Sequence, residues 1–150
     1  DKNTQDDLRE TVRQLLASEQ VGVLATHHQG QPYGTLVGFS VSPDLKSLFF
    51  ATARTTRKFA NITADDRVAM TFDNRAHVAA DFYAAVGVTA CGRAAEVSKS
   101  PRSTNVRRFL ARHPHLEAFL NSPNCAFLRV RVQKYVVVCR FQEVVELVVS

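Results

Sequence analysis

The chain has 150 residues, 45% of them hydrophobic, with ten Phe and no Trp; this fits one domain over 1–150 with enough apolar side chains for a packed core. A formal net charge of +5 attracts anions without selecting one. No apolar run approaches the roughly 18 residues of a membrane span, the opening "DKNTQDD" lacks a signal-peptide pattern, and three cysteines with no C-x-x-C spacing argue against a zinc or disulfide framework. A cytoplasmic protein with reduced core thiols and no membrane partner is expected.

Leu8, Val12, Leu15 and Leu16 repeat at helical spacing and predict a helix over Thr4–Ser18, capped by Thr4 with Asp6 and Asp7 in its first turn. "VGVLAT" (Val21–Thr26) reads as a strand, "HHQGQP" (His27–Pro32) as a turn, and "YGTLVGFSV" (Tyr33–Val41) as a second strand forming a hairpin with the first. After a turn at Ser42–Ser47 comes a third strand, Leu48–Thr52. A helix from about Thr56 is followed by a strand over Arg67–Phe72. A long strand over Ala84–Val97 carries Gly87 and Gly92 as candidate bulge or close-approach points. Arg102–Leu120 is helical, broken near His113 and Pro114. Ala126–Phe141 opens with Leu128, Val130 and Val132 on one face and Arg129, Arg131 and Gln133 on the other. It then becomes apolar at every position from Tyr135 to Cys139, the pattern of a strand covered on both faces. The second cover is expected to be another copy of the chain, so Val137→Glu is expected to break a dimer. "VVELVVS" adds a last strand. Six or seven strands with short turns and a few helices predict a mainly β (α+β) class: an antiparallel, barrel-like sheet with peripheral helices.

"LFFATARTTRKFANI" (Leu48–Ile62) concentrates Thr52, Thr55, Thr56, Arg54, Arg57 and Lys58 where a strand stops and a helix starts. Cations in a first helical turn oppose the helix dipole by roughly 0.3–1 kcal/mol each. A bound anion reverses that sign. Helix N-terminal amides, hydroxyls, an Arg and a Lys make a phosphate site; the competing reading is a set of solvated charges at a strand–helix junction.

The ordered set "VLAT", "GQPY", "LFFAT", "TTRKFANI", "DDRVAMTF" and "GRAAEV" resembles the flavin-binding split β-barrel proteins related to pyridoxamine 5′-phosphate oxidase. The resemblance covers Val21–Val97 and extends weakly to the end. It implies a homodimer with FMN at the interface. Thr52, Thr56, Arg57 and Lys58 would hold the phosphate, Ala53 would also contact the cofactor, and Thr35, Leu36 and Val37 would run beside the isoalloxazine ring. The oxidase has Arg where this chain has Thr35 and Lys where it has Ser40. A partner-chain Gln of the family falls near Gly87, and the oxidase's C-terminal Arg-and-His motif is absent. The resemblance thus implies a relative of the oxidase rather than the oxidase itself. "YVVVCRFQEVVEL" also resembles a haem-utilisation branch of the fold, with Cys139, Arg140 and Gln142 where that branch has glycines.

Other groups are read more plainly. His27 and His28 lack a third ligand nearby and are expected in a solvated loop, with no metal. His113 and His115 mark a helix break. Arg102, Arg107, Arg108 and Arg112 form a basic stripe without interleaved aromatics, so no nucleic-acid partner is expected. The expected function is FMN-dependent oxidation or reduction of a small molecule, the flavin carrying the redox chemistry. No catalytic acid or base is singled out. The alternatives are a non-catalytic flavin- or haem-holding protein for storage, sensing or haem utilisation, a deazaflavin in place of FMN, or an emptied pocket.

Overall fold

The computed structural model describes residues 2–74, 86–139 and 143–150. Helix α1 (Lys2–Ser18) is followed by strands β1 (Val21–His28), β2 (Gln31–Gly38), β3 (Ser40–Val41) and β4 (Ser47–Ala53), then helix α2 (Arg57–Ala64) and strands β5 (Arg67–Asp73) and β6 (Val86–Val97). Helix α3 (Thr104–Arg112), a 3-10 turn (Pro114–Leu116) and helix α4 (Glu117–Asn121) lead to β7 (Cys125–Cys139) and β8 (Glu143–Val148). The hydrogen-bonded order is β2-β1-β5-β6-β7-β4-β3, every pairing antiparallel, with β8 on the far half of β7.

The two ends of that order, β2 and β3, are separated in the chain by Phe39 alone. The sheet must therefore curl until its ends meet, which makes it a barrel split along the β2–β3 seam. Its inside is lined by Leu24, Val37, Phe39, Leu48, Phe50, Met70, Phe72, Val88, Val130, Tyr135 and Val137, with Val12, Leu15 and Leu16 of α1 in the same cluster. Truncating a buried Phe in such a core costs about 3–5 kcal/mol. A second cluster, Phe49, Val106, Phe109, Leu120, Cys125 and Phe127, lies beneath α3 and α4.

Several sequence expectations change here. Residues 27–32 are not a loop: His27 and His28 end β1, Gln31 and Pro32 begin β2, and the turn is Gln29–Gly30. Both turn residues have positive φ, 50° and 83°, the requirement of a two-residue hairpin turn that follows the strand twist. Tyr33–Val41 is not one strand, because the chain leaves β2 at Gly38 and pairs with β4 from Ser40. Helix α1 begins at Lys2, so Thr4 lies inside it rather than at its cap. Cys125 is the fully buried thiol, while Cys91 and Cys139 are half-buried. Gly92 does mark a bulge, the β6–β7 register shifting between Cys91 and Gly92; Gly87 sits in regular pairing. Residues 84 and 85, and Arg140, Phe141 and Gln142, fall outside the described residues.

The apolar run of β7 splits between two faces. Val137 is 1% exposed and faces the core; Val138 is 38% exposed on the outside. The Val137→Glu expectation is therefore corrected: that substitution places a carboxylate inside the barrel and tests folding, whereas Val138 tests the outer face. Registered pairs put Leu36 beside Val23 and Val138 beside Val144 on that face, all four exposed.

Candidate functional site

The turn between β4 and α2 is organised around the Ala53 carbonyl. It accepts from the Thr56 amide at 3.2 Å, the Thr56 hydroxyl at 2.9 Å and the Thr52 hydroxyl at 3.3 Å. Thr56 is the N-cap of α2, its Oγ1 accepting from the Phe59 amide at 3.3 Å, and the Thr52 and Thr56 oxygens are 2.9 Å apart. Thr52 is only 2% exposed. These hydroxyls are occupied in building the turn. The amides of Arg57 and Lys58, first and second in the helix, have no intrahelical acceptor.

The cations of the cluster separate. Arg54 turns away: its guanidinium meets both oxygens of Glu96, at 2.9 and 2.5 Å, and its Nε donates to the Pro123 carbonyl. Arg67 pairs with Asp65 and Arg93 with Asp66. Arg57 and Lys58 have no carboxylate partner among the described residues. The Arg57 guanidinium lies 5.4 Å from the Tyr33 ring centroid. Lys58 is half-buried, and burial pushes its ammonium below its ordinary pKa with no carboxylate to offset the desolvation. Thr55 is exposed beside them.

Helix α2 packs on the β1–β2 hairpin. Asn61 Nδ2 donates to Thr26 Oγ1 at 3.0 Å, both residues buried. Tyr33 and Thr35 lie two residues apart on one face of β2, so the Arg57–Tyr33 contact brings the start of α2 next to Thr35. The Thr35 hydroxyl is buried and makes no hydrogen bond, as is that of Ser40 across the seam. Leu36 is 73% exposed on the opposite face and Val37 is in the core. Strand β2 ends the hydrogen-bonded order. A cleft of about 430 Å³ separates hairpin from helix, lined by His28, Gln31, Pro32, Tyr33, Arg57, Ala60 and Asn61.

An orphaned hydroxyl, a desolvated ammonium without a counter-charge and a free guanidinium at a helix N-terminus fit a phosphorylated ligand. Sequence reasoning named Arg57, Lys58 and Thr35 as candidates. It missed Tyr33 and Asn61, because the signal that joins them to the site is the packing of α2 on the hairpin. Among the described residues no group of three or more His, Cys, Asp or Glu side chains is placed to hold a metal ion. His27 Nε2 instead lies 3.1 Å from Asp65, and His113 is buried with Nε2 2.8 Å from the Phe39 carbonyl. Arg112 leaves the basic stripe and donates to the Leu16 and Glu19 carbonyls at the end of α1. No helix among the described residues is long and apolar enough to cross a membrane.

Residues 8–139 match the family described as pyridoxamine 5′-phosphate oxidase. The chain belongs to that family. Comparison with curated proteins finds no match. Among solved structures, a haem-binding protein from Mycobacterium smegmatis is similar with a TM-score of 0.81 at 17% identity, over 93% of this chain and 57% of that one. A FAD-binding protein from Mesorhizobium loti gives a TM-score of 0.68 at 18% identity, over 86% and 90%. ChuZ of Campylobacter jejuni gives 0.79 at 12%, over 94% and 59%. The chain thus spans little more than half the length of the first and third. At these identities the likeness is one of fold, and it places the split barrel of the pyridoxamine 5′-phosphate oxidase family on this chain.

Proposed function

We propose that this chain binds the FMN unit of a flavin and works as an oxidoreductase on a small molecule. The observation that carries the reading is the contrast among cations. Arg54, Arg67 and Arg93 are each neutralised by a carboxylate, whereas Arg57 and the half-buried Lys58, at the start of α2, have none among the described residues. The flavin phosphate would be held by Arg57, Lys58 and their backbone amides, with the exposed Thr55 in reach. Thr52, Ala53 and Thr56 shape the turn that presents them. Thr35 would donate its spare hydroxyl. The edge of β2 at Thr35–Val37 would run beside the ring, with Ser40 on the far side of the seam. Bound flavin supplies two-electron redox chemistry; this chain's residues bind, orient and exclude water.

A homodimer completes the reading. The exposed Leu36, Val21, Val23, Val138, Val144 and Val148 lie on the outer face of one sheet. Apolar surface of that kind marks an interaction site, and a second copy is the partner that would shelter a ring beside β2. A non-catalytic flavin- or haem-holding protein is the competing reading, supported by the haem-binding protein that shares the fold.

The direct test is Arg57→Ala with Lys58→Ala. Charge-assisted hydrogen bonds contribute about 1.5–3 kcal/mol each, so FMN affinity should fall at least about 100-fold while the thermal melt stays intact. Unchanged affinity in the double variant removes the phosphate assignment.

A further inference from the structure

We propose that the cleft between the β1–β2 hairpin and α2 receives the adenosine half of a flavin dinucleotide, so that this chain takes FAD in preference to FMN. The inference rests on the phosphate reading above and extends it past the phosphate.

The sequence of positions along β2 is the first argument. The ring lies at Thr35–Val37, and Arg57 is reached at Tyr33. The cleft opens beyond it at Pro32, Gln31 and His28. At about 3.3 Å per residue, Tyr33 to Val37 spans about 13 Å, the reach of a flavin from its ring to its phosphate. Anything attached to that phosphate enters the cleft. The cleft is walled by Arg57 itself, so one guanidinium can bridge both phosphates of a pyrophosphate.

The lining chemistry is the second argument. A cleft of about 430 Å³ is in the usual range for small-molecule sites. Tyr33, whose ring the Arg57 guanidinium approaches to 5.4 Å, supplies an aromatic surface on which a purine stacks. Asn61 is 4% exposed. Its Nδ2 is committed to Thr26. Asn61 lines the cleft, and a carboxamide oxygen there can accept from the amino edge of adenine. The cleft lies at the phosphate end of the site, away from Leu36 and Val37. That position suits a nucleotide joined to the flavin better than a nicotinamide, which must reach the ring.

The test is titration of the flavin-free protein with FMN and with FAD, followed by flavin fluorescence, in the wild type and two variants. Ala60→Trp fills the cleft from an exposed helical position. Tyr33→Ala removes the stacking face. The wild type should bind FAD about tenfold more tightly than FMN, the size of one base–aromatic stack. Ala60→Trp should bring the two within about twofold, and Tyr33→Ala should weaken FAD more than FMN. FAD binding no tighter than FMN, or a FAD preference that survives both variants, overturns the proposal and leaves the phosphate reading standing. If neither flavin binds, both fall.

Discussion

A charged side chain means different things according to what faces it. Arg54, next in sequence to the cradle, is spent on Glu96, which it holds below the usual carboxylate range. Arg67 does the same to Asp65 by two hydrogen bonds. Among the described residues Arg57 and Lys58 have no such partner, and they are the pair the helix dipole disfavours. The sequence showed that the cluster was unusual, because residue types and helix polarity are local. It did not show that Arg54 leaves the cluster, since Glu96 is 42 residues away. His113 makes the same point from the core. It is 3% exposed, with Nε2 on the Phe39 carbonyl, between the Arg112 charge and the His115 ring. Burial pushes its pKa below the ordinary 6.5, with Arg112 and His115 adding to the shift. The folded state therefore keeps His113 neutral while the unfolded chain protonates below 6.5. Its contribution is full above that pH and is lost as pH falls below it. Urea midpoints should decline from about pH 7 to about pH 5, and His113→Gln, which keeps a donor for Phe39, should flatten that decline. An unchanged slope in the variant means that another group carries it.

Elements whose patterning is local were legible; those set by a distant partner were not. The periodicity of α1, the apolar run of β4, the alternation of β5 and the Thr56 start of α2 follow from side chains within one turn or one pleat. The break at Phe39 does not, because what meets it there is distant in sequence: the His113 ring, just past α3, sits 3.1 Å from where a Gly38 Cβ would be and bonds the next carbonyl. The double-sided apolar run in β7 was visible, but its phase was not. Cys91 pairs with Lys134 and Gly92 with Val132, so Gln133 is an extra residue. Inward positions pass from Leu128, Val130 and Val132 to Tyr135 and Val137, and Val138 rather than Val137 faces out. The bulge needs glycine: a Cβ at Gly92 would run into the Arg131 carbonyl, which is backbone and cannot step aside. Gly92→Ala should lose about 1–3 kcal/mol of stability in urea unfolding. Gly87→Ala, where a Cβ meets nothing within 4 Å, should stay within about 0.5 kcal/mol. Equal losses at the two sites would show that the bulge is not what Gly92 serves.

At the scale of the whole molecule, the closure of the barrel brings function and assembly to the same strands. The seam at Phe39 puts β2 at an open edge beside α2, and the outer face that begins at Leu36 runs through β1, β5 and β6 to β7 and β8. If a second copy covers that face, Val138→Glu should shift the sedimenting species from dimer to monomer while thermal stability changes little, the side chain being outside the core. A dimer that persists through that substitution would place the interface elsewhere. The fold was readable from the order of short motifs along the chain, and the family match over residues 8–139 agrees with it. The occupant of the site is the central claim, and the visible absorption spectrum of the purified protein, recorded again after addition of FMN and removal of the excess, tests it most directly. A flavin spectrum retained at about one per chain, and lost with Arg57→Ala and Lys58→Ala, is the predicted result. A colourless protein that releases all added FMN, or one that shows a haem band in its place, would contradict the account.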